Sequence, residues 1–207
     1  MTETTLADIL AAVADRTITE ADVLAARRLV YGDDGAIDAR EIEALFAIDE
    51  AAATGCQAWS DLFVEAGVDF LVRQEHPQGY VDAAKAEWLT DRIASDGRVK
   101  TATELELLVK VLETAERSPE ALPAFALDQV RRAVTDGEGS VRGGSLTPGR
   151  IGEAEVDLVR RILFAYGGAG GVAVTRLSPN TVRSPGTTMD TRQACASKLA
   201  VGSCVRR

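Results

Sequence analysis

A turn of an acidic residue and a glycine, with an aliphatic residue two places on, recurs in the chain, and its first copy has the spacing of a calcium-binding loop. The first such segment is Asp33-Asp34-Gly35-Ala36-Ile37. If Gly35 is the sixth position of an EF-hand loop, Ile37 is the eighth and Glu41 the twelfth, as that loop requires. Carboxylate oxygens are the ligands that Ca²⁺ and Mg²⁺ prefer in proteins. The sequence therefore offers a weak site for either ion, with three carboxylate ligands: Asp34, Asp38 and Glu41.

The same pattern has a structural interpretation that needs no metal. The first and third loop positions would be Val30 and Gly32, which have no side-chain oxygen. In the second segment, Ser95-Asp96-Gly97-Arg98-Val99, the twelfth position is Thr103 and Glu104 follows it. Glycine supplies the positive φ of a tight turn, aspartate accepts backbone hydrogen bonds, and the aliphatic residue enters the core. We favour this interpretation, in which both segments, called here the Asp-Gly turns, connect helices.

Cysteine and histidine offer little further chemistry. Cys56, Cys195 and Cys204 are too scattered for a disulfide framework or a zinc site. His76 is the single histidine of the chain. A nucleophile made of Cys56 and His76 is the least favoured function, because nothing in the sequence brings the two side chains together. We therefore expect a protein that is not an enzyme.

Helices must position these residues, because apolar residues keep helical spacing through most of the chain. One stripe comprises Trp59, Leu62, Phe63, Ala66 and Phe70, and a later one comprises Val156, Val159 and Leu163. Thr19, followed by Glu20 and Asp22, predicts a helix start. Threonine caps free backbone N–H groups there, and the helix dipole favours the acidic residues. The predicted fold class is all-α.

Two internal alignments suggest tandem units. A shift of about 63 residues places Glu41 on Glu104, and a second match relates residues 18–23 to residues 151–156. Each unit then contains a helix, an Asp-Gly turn, a helix, a short loop and a helix, and the units pack as an orthogonal helical bundle. The predicted organisation is a first helical unit over 1–75, a second over 76–136, a flexible Gly-rich loop over 137–150, a truncated third unit over 151–176 and a tail over 177–207.

The tail differs in composition from the rest of the chain. Residues 1–176 carry 18 basic and 31 acidic side chains, whereas residues 177–207 carry five basic and one acidic. The third unit should continue with an acidic helix and does not, so we expect a tail that is disordered or derived from a shifted reading frame. The helix around residues 156–166 must then bury its stripe against the first two units or another molecule. A protein partner or self-association is therefore expected.

A family resemblance rests on the Asp-Gly turns between helices and the acidic helix that follows each. These features resemble the TerB-like helical domains of tellurite-resistance proteins and similar uncharacterised proteobacterial proteins. The resemblance covers the two Asp-Gly units. It implies an all-helical, acidic, cytoplasmic protein that acts in stress response or in membrane-associated complexes, with affinity for a divalent metal.

Charge and hydropathy exclude several classes of function. The net charge of −9 disfavours binding to nucleic acid, and no apolar run reaches the roughly 18 residues that span a bilayer. Residues 1–5 lack the charged and apolar regions of a signal peptide, so we expect a cytoplasmic protein. The favoured function is a non-enzymatic helical interaction or scaffolding protein without a cofactor. The alternative is a divalent-metal-binding stress-response protein of TerB-like type.

Overall fold

The computed structural model describes residues 5–14, 16–32, 35–94, 96–137, 149 and 151–167. Within these ranges the chain forms eight α-helices and one π-helical segment, with no β-strand, so the predicted all-α class is confirmed. None of these helices is both long and apolar enough to cross a bilayer. The helices are α1 (Leu6–Val13), α2 (Glu20–Tyr31), α3 (Ala39–Ala51), α4 (Gln57–Val68), α5 (Ala83–Ile93), α6 (Ala102–Thr114), α7 (Ala121–Asp136) and α8 (Glu153–Gly167), and the π-helical segment is Asp69–Gln74.

Capping boxes start α1, α2, α3 and α6. In each box the N-cap side chain accepts a hydrogen bond from the third helical N–H, and the side chain at that third position accepts one from the N-cap N–H. The predicted start at Thr19 is one of them. The four pairs are Thr5 with Asp8, Thr19 with Asp22, Asp38 with Glu41, and Thr101 with Glu104.

The core is centred on α4, which packs against α2, α3 and α6. The stripe predicted on this helix is buried along its whole length, from Trp59 to Phe70. The ring of Phe63 lies 4.9 Å from that of Phe46 on α3 in an edge-to-face arrangement, the geometry that aromatic pairs prefer. Helices from both predicted units therefore share one set of apolar contacts.

A π-helical segment extends α4 by six residues, Asp69–Gln74. Its closing hydrogen bond runs from the Glu75 N–H to the Phe70 carbonyl at 3.0 Å, the wider spacing of a π-helix. The segment directs side chains from its two ends to earlier elements. Asp69 accepts a hydrogen bond from the Tyr31 hydroxyl at 2.9 Å, and Gln74 accepts one from the Ile37 N–H at 2.9 Å. It thereby joins α4 to α2 and to the first Asp-Gly turn.

Helix α8 packs against α6 and α7. Arg161 holds it in place by a bidentate contact with Glu106 at 2.8 and 2.9 Å and a further hydrogen bond to Glu113 at 2.6 Å. These carboxylates raise the pKa of the Arg161 guanidinium, as paired opposite charges do. The contact anchors α8 through its polar edge as well as through its apolar residues.

The apolar stripe predicted on α8, which comprises Val156, Val159 and Leu163, is not the side of the helix that is buried. Leu158 and Ile162 are the buried residues, whereas Val156 is 45% exposed. Val159 is only partly buried. Helix α8 turns Leu158 and Ile162 towards α6 and α7, and the spacing of its apolar residues does not specify which side faces these distant neighbours.

Only some of the predicted units lie within the residues that the structure describes. The described residues group into one compact unit that lies within residues 1–173. The predicted loop over 137–150 lies outside the described residues except for Gly137 and Gly149, and the tail over 177–207 lies wholly outside them. The third unit is described as far as Gly167. The repeat boundaries and the shifted-frame hypothesis stay predictions.

Lys85 is buried without an ion-pair partner within 4 Å in the described part of the chain. Its ammonium group donates to the carbonyls of Glu75 at 2.7 Å, Pro77 at 2.9 Å and Tyr80 at 2.9 Å. An ammonium has three N–H groups, so these bonds satisfy all of them. Burial lowers the pKa of Lys85. The side chain thus fastens the segment between the π-helix and α5.

Replacing this lysine tests its structural role. We expect Lys85→Met to lower the free energy of unfolding by about 2–3 kcal/mol, because three carbonyls lose their donor. Urea denaturation measures the change. Lys110→Met is the control, since Lys110 is half exposed and pairs with Glu113 on the surface, and such a pair contributes at most about 1 kcal/mol. Equal stability of the two variants would contradict the role assigned to Lys85.

Candidate functional site

The first Asp-Gly turn uses two of its predicted metal ligands to start α3. The Asp38 carboxylate accepts hydrogen bonds from the N–H groups of Arg40 at 2.7 Å and Glu41 at 2.8 Å. Glu41 in return accepts one from the Asp38 N–H at 2.8 Å. These bonds satisfy helix-terminal N–H groups that otherwise need solvent. The third predicted ligand, Asp34, lies outside the described residues.

The second Asp-Gly turn has the same construction around Thr101 and Glu104. Glu104 accepts hydrogen bonds from the Thr101 N–H at 3.0 Å and the Lys100 N–H at 3.2 Å. It is only 2% exposed, and burial raises the pKa of its carboxyl group. A glutamine from a later element also anchors each turn: Gln129 accepts from the Val99 N–H at 3.1 Å, as Gln74 does from the first turn.

Among the described side chains, no group of three histidine, cysteine or acidic residues is arranged to hold a metal ion. Asp34 lies outside the described residues, so the arrangement of the three predicted ligands together is not described. The site of Asp34, Asp38 and Glu41 stays a prediction. What the geometry adds is a competing use for two of the three carboxylates.

A third acidic residue, Asp49, joins α3, α4 and α6. One carboxylate oxygen accepts from the indole N–H of Trp59 at 2.7 Å, and the other accepts from the Thr101 hydroxyl at 2.8 Å. The side chain is buried and has no ion pair in the described part of the chain. Burial raises the pKa of Asp49, while its hydrogen bonds act in the opposite direction. The charge of Asp49 also raises the pKa of the Glu104 carboxyl group, so two buried acids lie at one junction.

A pocket of about 360 Å³ opens beside Asp49. Its walls come from the end of α3 and the starts of α4 and α6, and they carry small and hydroxyl side chains. Cys56 contributes the one thiol among them and is partly buried. The other lining residues include Thr54, Ser60, Thr101 and Thr103. The pocket lining is about equally polar and apolar, and its carboxylate is already occupied by internal donors.

Cys56 and His76 do not form a catalytic pair at this pocket. Cys56 lies at the start of α4, whereas His76 belongs to the turn after the π-helix and does not line the pocket. The carboxylate nearest to Cys56 among the lining residues is Asp49, whose oxygens accept from Trp59 and Thr101. None of these groups has the nucleophile-to-base hydrogen bond of an activated thiol.

A separate feature is the outward side of α8. Phe164 is 75% exposed, and Val156, two helical turns earlier, is also exposed. Between them lies Arg160, which approaches Asp157 of the same helix at 3.8 Å. We call the residues Val156, Arg160 and Phe164 the α8 face. Large apolar side chains grouped in this way mark interaction surfaces more often than isolated ones do.

No protein-family model, curated protein or solved structure matches this chain. The resemblance to TerB-like domains therefore stays a prediction, and the function must be inferred from the geometry.

Several structurally important residues were not identified from sequence. The capping boxes can be recognised in the sequence, because an N-cap residue followed three positions later by glutamate is their signature. Glu41 also falls at the twelfth position of a calcium-binding loop, so the sequence alone does not separate a capping glutamate from a metal ligand. Asp49 and Lys85 had no such signal, because their partners come from distant parts of the chain or from the backbone of a loop.

Substitutions at Asp38 separate the capping role from the metal hypothesis. Asparagine caps helices as well as aspartate does but lacks the charge of a carboxylate ligand. We expect Asp38→Asn to keep its stability without calcium, and Asp38→Ala to lose about 1 kcal/mol. Thermal unfolding measures both variants. Calorimetric heat with calcium that disappears in Asp38→Asn would establish the site, whereas no heat at millimolar calcium would remove the metal hypothesis.

The buried carboxyl of Asp49 makes stability depend on pH. Because its folded pKa is raised above the ordinary 3.8, its contribution is complete below pH 3.8 and declines as pH rises through the folded pKa. Asp49→Asn removes this decline. We therefore expect the difference in unfolding free energy, variant minus wild type, to increase with pH above 3.8.

Chemical denaturation across the acid-to-neutral range measures that difference. Asp61→Asn is the control, because it removes an exposed negative charge from α4. A difference for Asp49→Asn that is constant with pH, or no larger than that of the control, would contradict the effect.

Proposed function

We propose that this protein is a non-enzymatic helical interaction protein that binds a protein partner through the α8 face. The observation that carries the proposal is the exposure of Phe164 together with Val156 on a helix whose opposite side is firmly packed. We place the protein in the cytoplasm. Its acidic net charge of −9 favours a protein partner over nucleic acid.

The physical reason is the cost of leaving such side chains in water. Burying a phenylalanine or valine side chain is worth about 1.5–3 kcal/mol. Leu158 and Ile162 on one side of α8 are buried and provide this stabilisation. Val156 and Phe164 stay exposed in the described part of the chain and do not provide it in full. A partner that covers the α8 face would recover it.

Interaction is better supported than catalysis. The pocket at Asp49 holds one thiol and one carboxylate, and internal donors already engage the carboxylate. The groups that anchor α8, by contrast, hold the α8 face on a rigid base, since Arg161 is bound by Glu106 and Glu113. No observation favours the metal-responsive stress function over this one.

A photo-cross-linker at the α8 face tests the proposal. We expect benzoylphenylalanine in place of Phe164 to give a discrete protein adduct in cells that express the protein. The same group in place of Leu24 is the control, because Leu24 is exposed on α2 and no other large hydrophobic side chain of that helix is exposed. Equal labelling at both positions, or none at Phe164, would overturn the proposed function.

A further inference from the structure

Helices α2 and α8 begin in the same way. Asp22 accepts a hydrogen bond from the Thr19 N–H at 2.9 Å, and Glu155 accepts one from the Gly152 N–H at 2.7 Å. In both helices an acidic side chain thus bonds the N–H three residues before it. The same bond starts α1, α3 and α6, so the sequence match of residues 18–23 to residues 151–156 is what makes α2 the guide to α8.

Helix α4 covers one side of α2. Arg27 donates to Glu65 of α4 at 2.6 Å, and the Tyr31 hydroxyl donates to Asp69 at 2.9 Å. Val23, on the same side of α2, is buried. The surface of α2 formed by a valine, an arginine and an aromatic ring therefore faces α4 and its π-helical extension, which present apolar residues and the carboxylates of Glu65 and Asp69.

The corresponding surface of α8 has no such cover in the described residues. The sequence match aligns Val23 with Val156, Arg27 with Arg160 and Tyr31 with Phe164. On α8 all three positions are exposed, with the Arg160 side chain at 61%. Helix α8 packs on α6 and α7 through its other side. By the sequence match, the α8 face corresponds to the side of α2 that contacts α4.

The segment that follows α8 does not supply the required charges. It contains a single acidic residue, Asp190, among several arginines and a lysine. An arginine on a binding surface calls for a carboxylate opposite it. The residues that follow α8 in this sequence therefore do not match the charge of the α8 face, which favours another molecule as its partner.

We propose that the α8 face binds an acidic amphipathic helix of a protein partner in the way that α2 binds α4. The partner places apolar side chains against Val156 and Phe164 and a carboxylate against Arg160. This inference rests on the proposed function and specifies the chemistry of the partner. Binding of this kind is a helix-in-groove mode of recognition, in which the contacting residues recur at helical spacing.

The probe is a synthetic, helix-stabilised peptide of residues 57–74, which carries Glu65 and Asp69. Binding to the full chain is measured by fluorescence anisotropy. We expect saturable binding that Arg160→Glu weakens about tenfold or more, because attraction becomes repulsion. A peptide with Glu65→Arg should recover affinity for the Arg160→Glu protein. This charge exchange requires the two residues to be in contact.

Two variants establish where on the protein the peptide binds. Arg28→Glu reverses an exposed charge on α2 and should leave affinity unchanged. Arg27→Glu detects a peptide that replaces the protein's own α4, since only that event would depend on Arg27. Circular dichroism of each variant checks that it is folded.

The outcomes separate the inference from the proposed function. Absence of peptide binding, binding indifferent to Arg160→Glu, or dependence on Arg27 would overturn the acidic-helix partner. A cross-linked adduct at Phe164 obtained alongside any of these results would leave the interaction function standing. An adduct made only of two copies of this chain would support an interaction function and overturn the partner proposed here.

Discussion

The apolar side chains of α4 are almost completely removed from water, and helices from both halves of the chain pack around them. Trp59, Leu62 and Phe63 are fully buried, and α2, α3 and α6 all contact this helix. An amphipathic helix is stabilised mainly by such packing and only weakly by its own propensity. Removal of α4 would therefore uncover the apolar sides of three neighbours at once. Helices α2, α3 and α6 then carry the outer helices, since α1 packs on α2 and α3, and α8 packs on α6.

Polar contacts fix the direction in which the neighbours approach. Hydrophobic burial is not directional, so it does not by itself select one arrangement of helices. Asp49 does so at one end of α4 through Trp59 and Thr101, and Asp69 does so at the other end through Tyr31. The first contact places a poorly neutralised carboxyl in the interior, which costs stability at neutral pH. That cost is the physical consequence of using a charged group to join three helices.

The parts of this structure that depend on local sequence could be predicted, and the parts that depend on distant partners could not. Helical spacing identified the stripe on α4 because burial imposes that period, and Thr19 identified a helix start. Glu41 and Glu104 were ambiguous, since a capping glutamate and a calcium ligand both follow a turn at the start of a helix. Asp49 has partners 10 and 52 residues away, and no local pattern encodes such contacts. The side of α8 that is buried was missed for the same reason.

The energy available at the α8 face limits how it can be used. Burial of Phe164 and Val156 provides at most about 1.5–3 kcal/mol each, because both side chains are already partly covered, whereas association costs about 4–15 kcal/mol in lost freedom of motion. These two side chains therefore cannot support tight binding alone, and a lasting complex needs further contacts beyond α8. Arg160 contributes to orientation as well as to affinity, because a surface charge guides encounter and alignment and repels a partner of like charge. A face of this composition suits a reversible contact, in which the apolar pair supplies attraction and the arginine selects which helix is accepted.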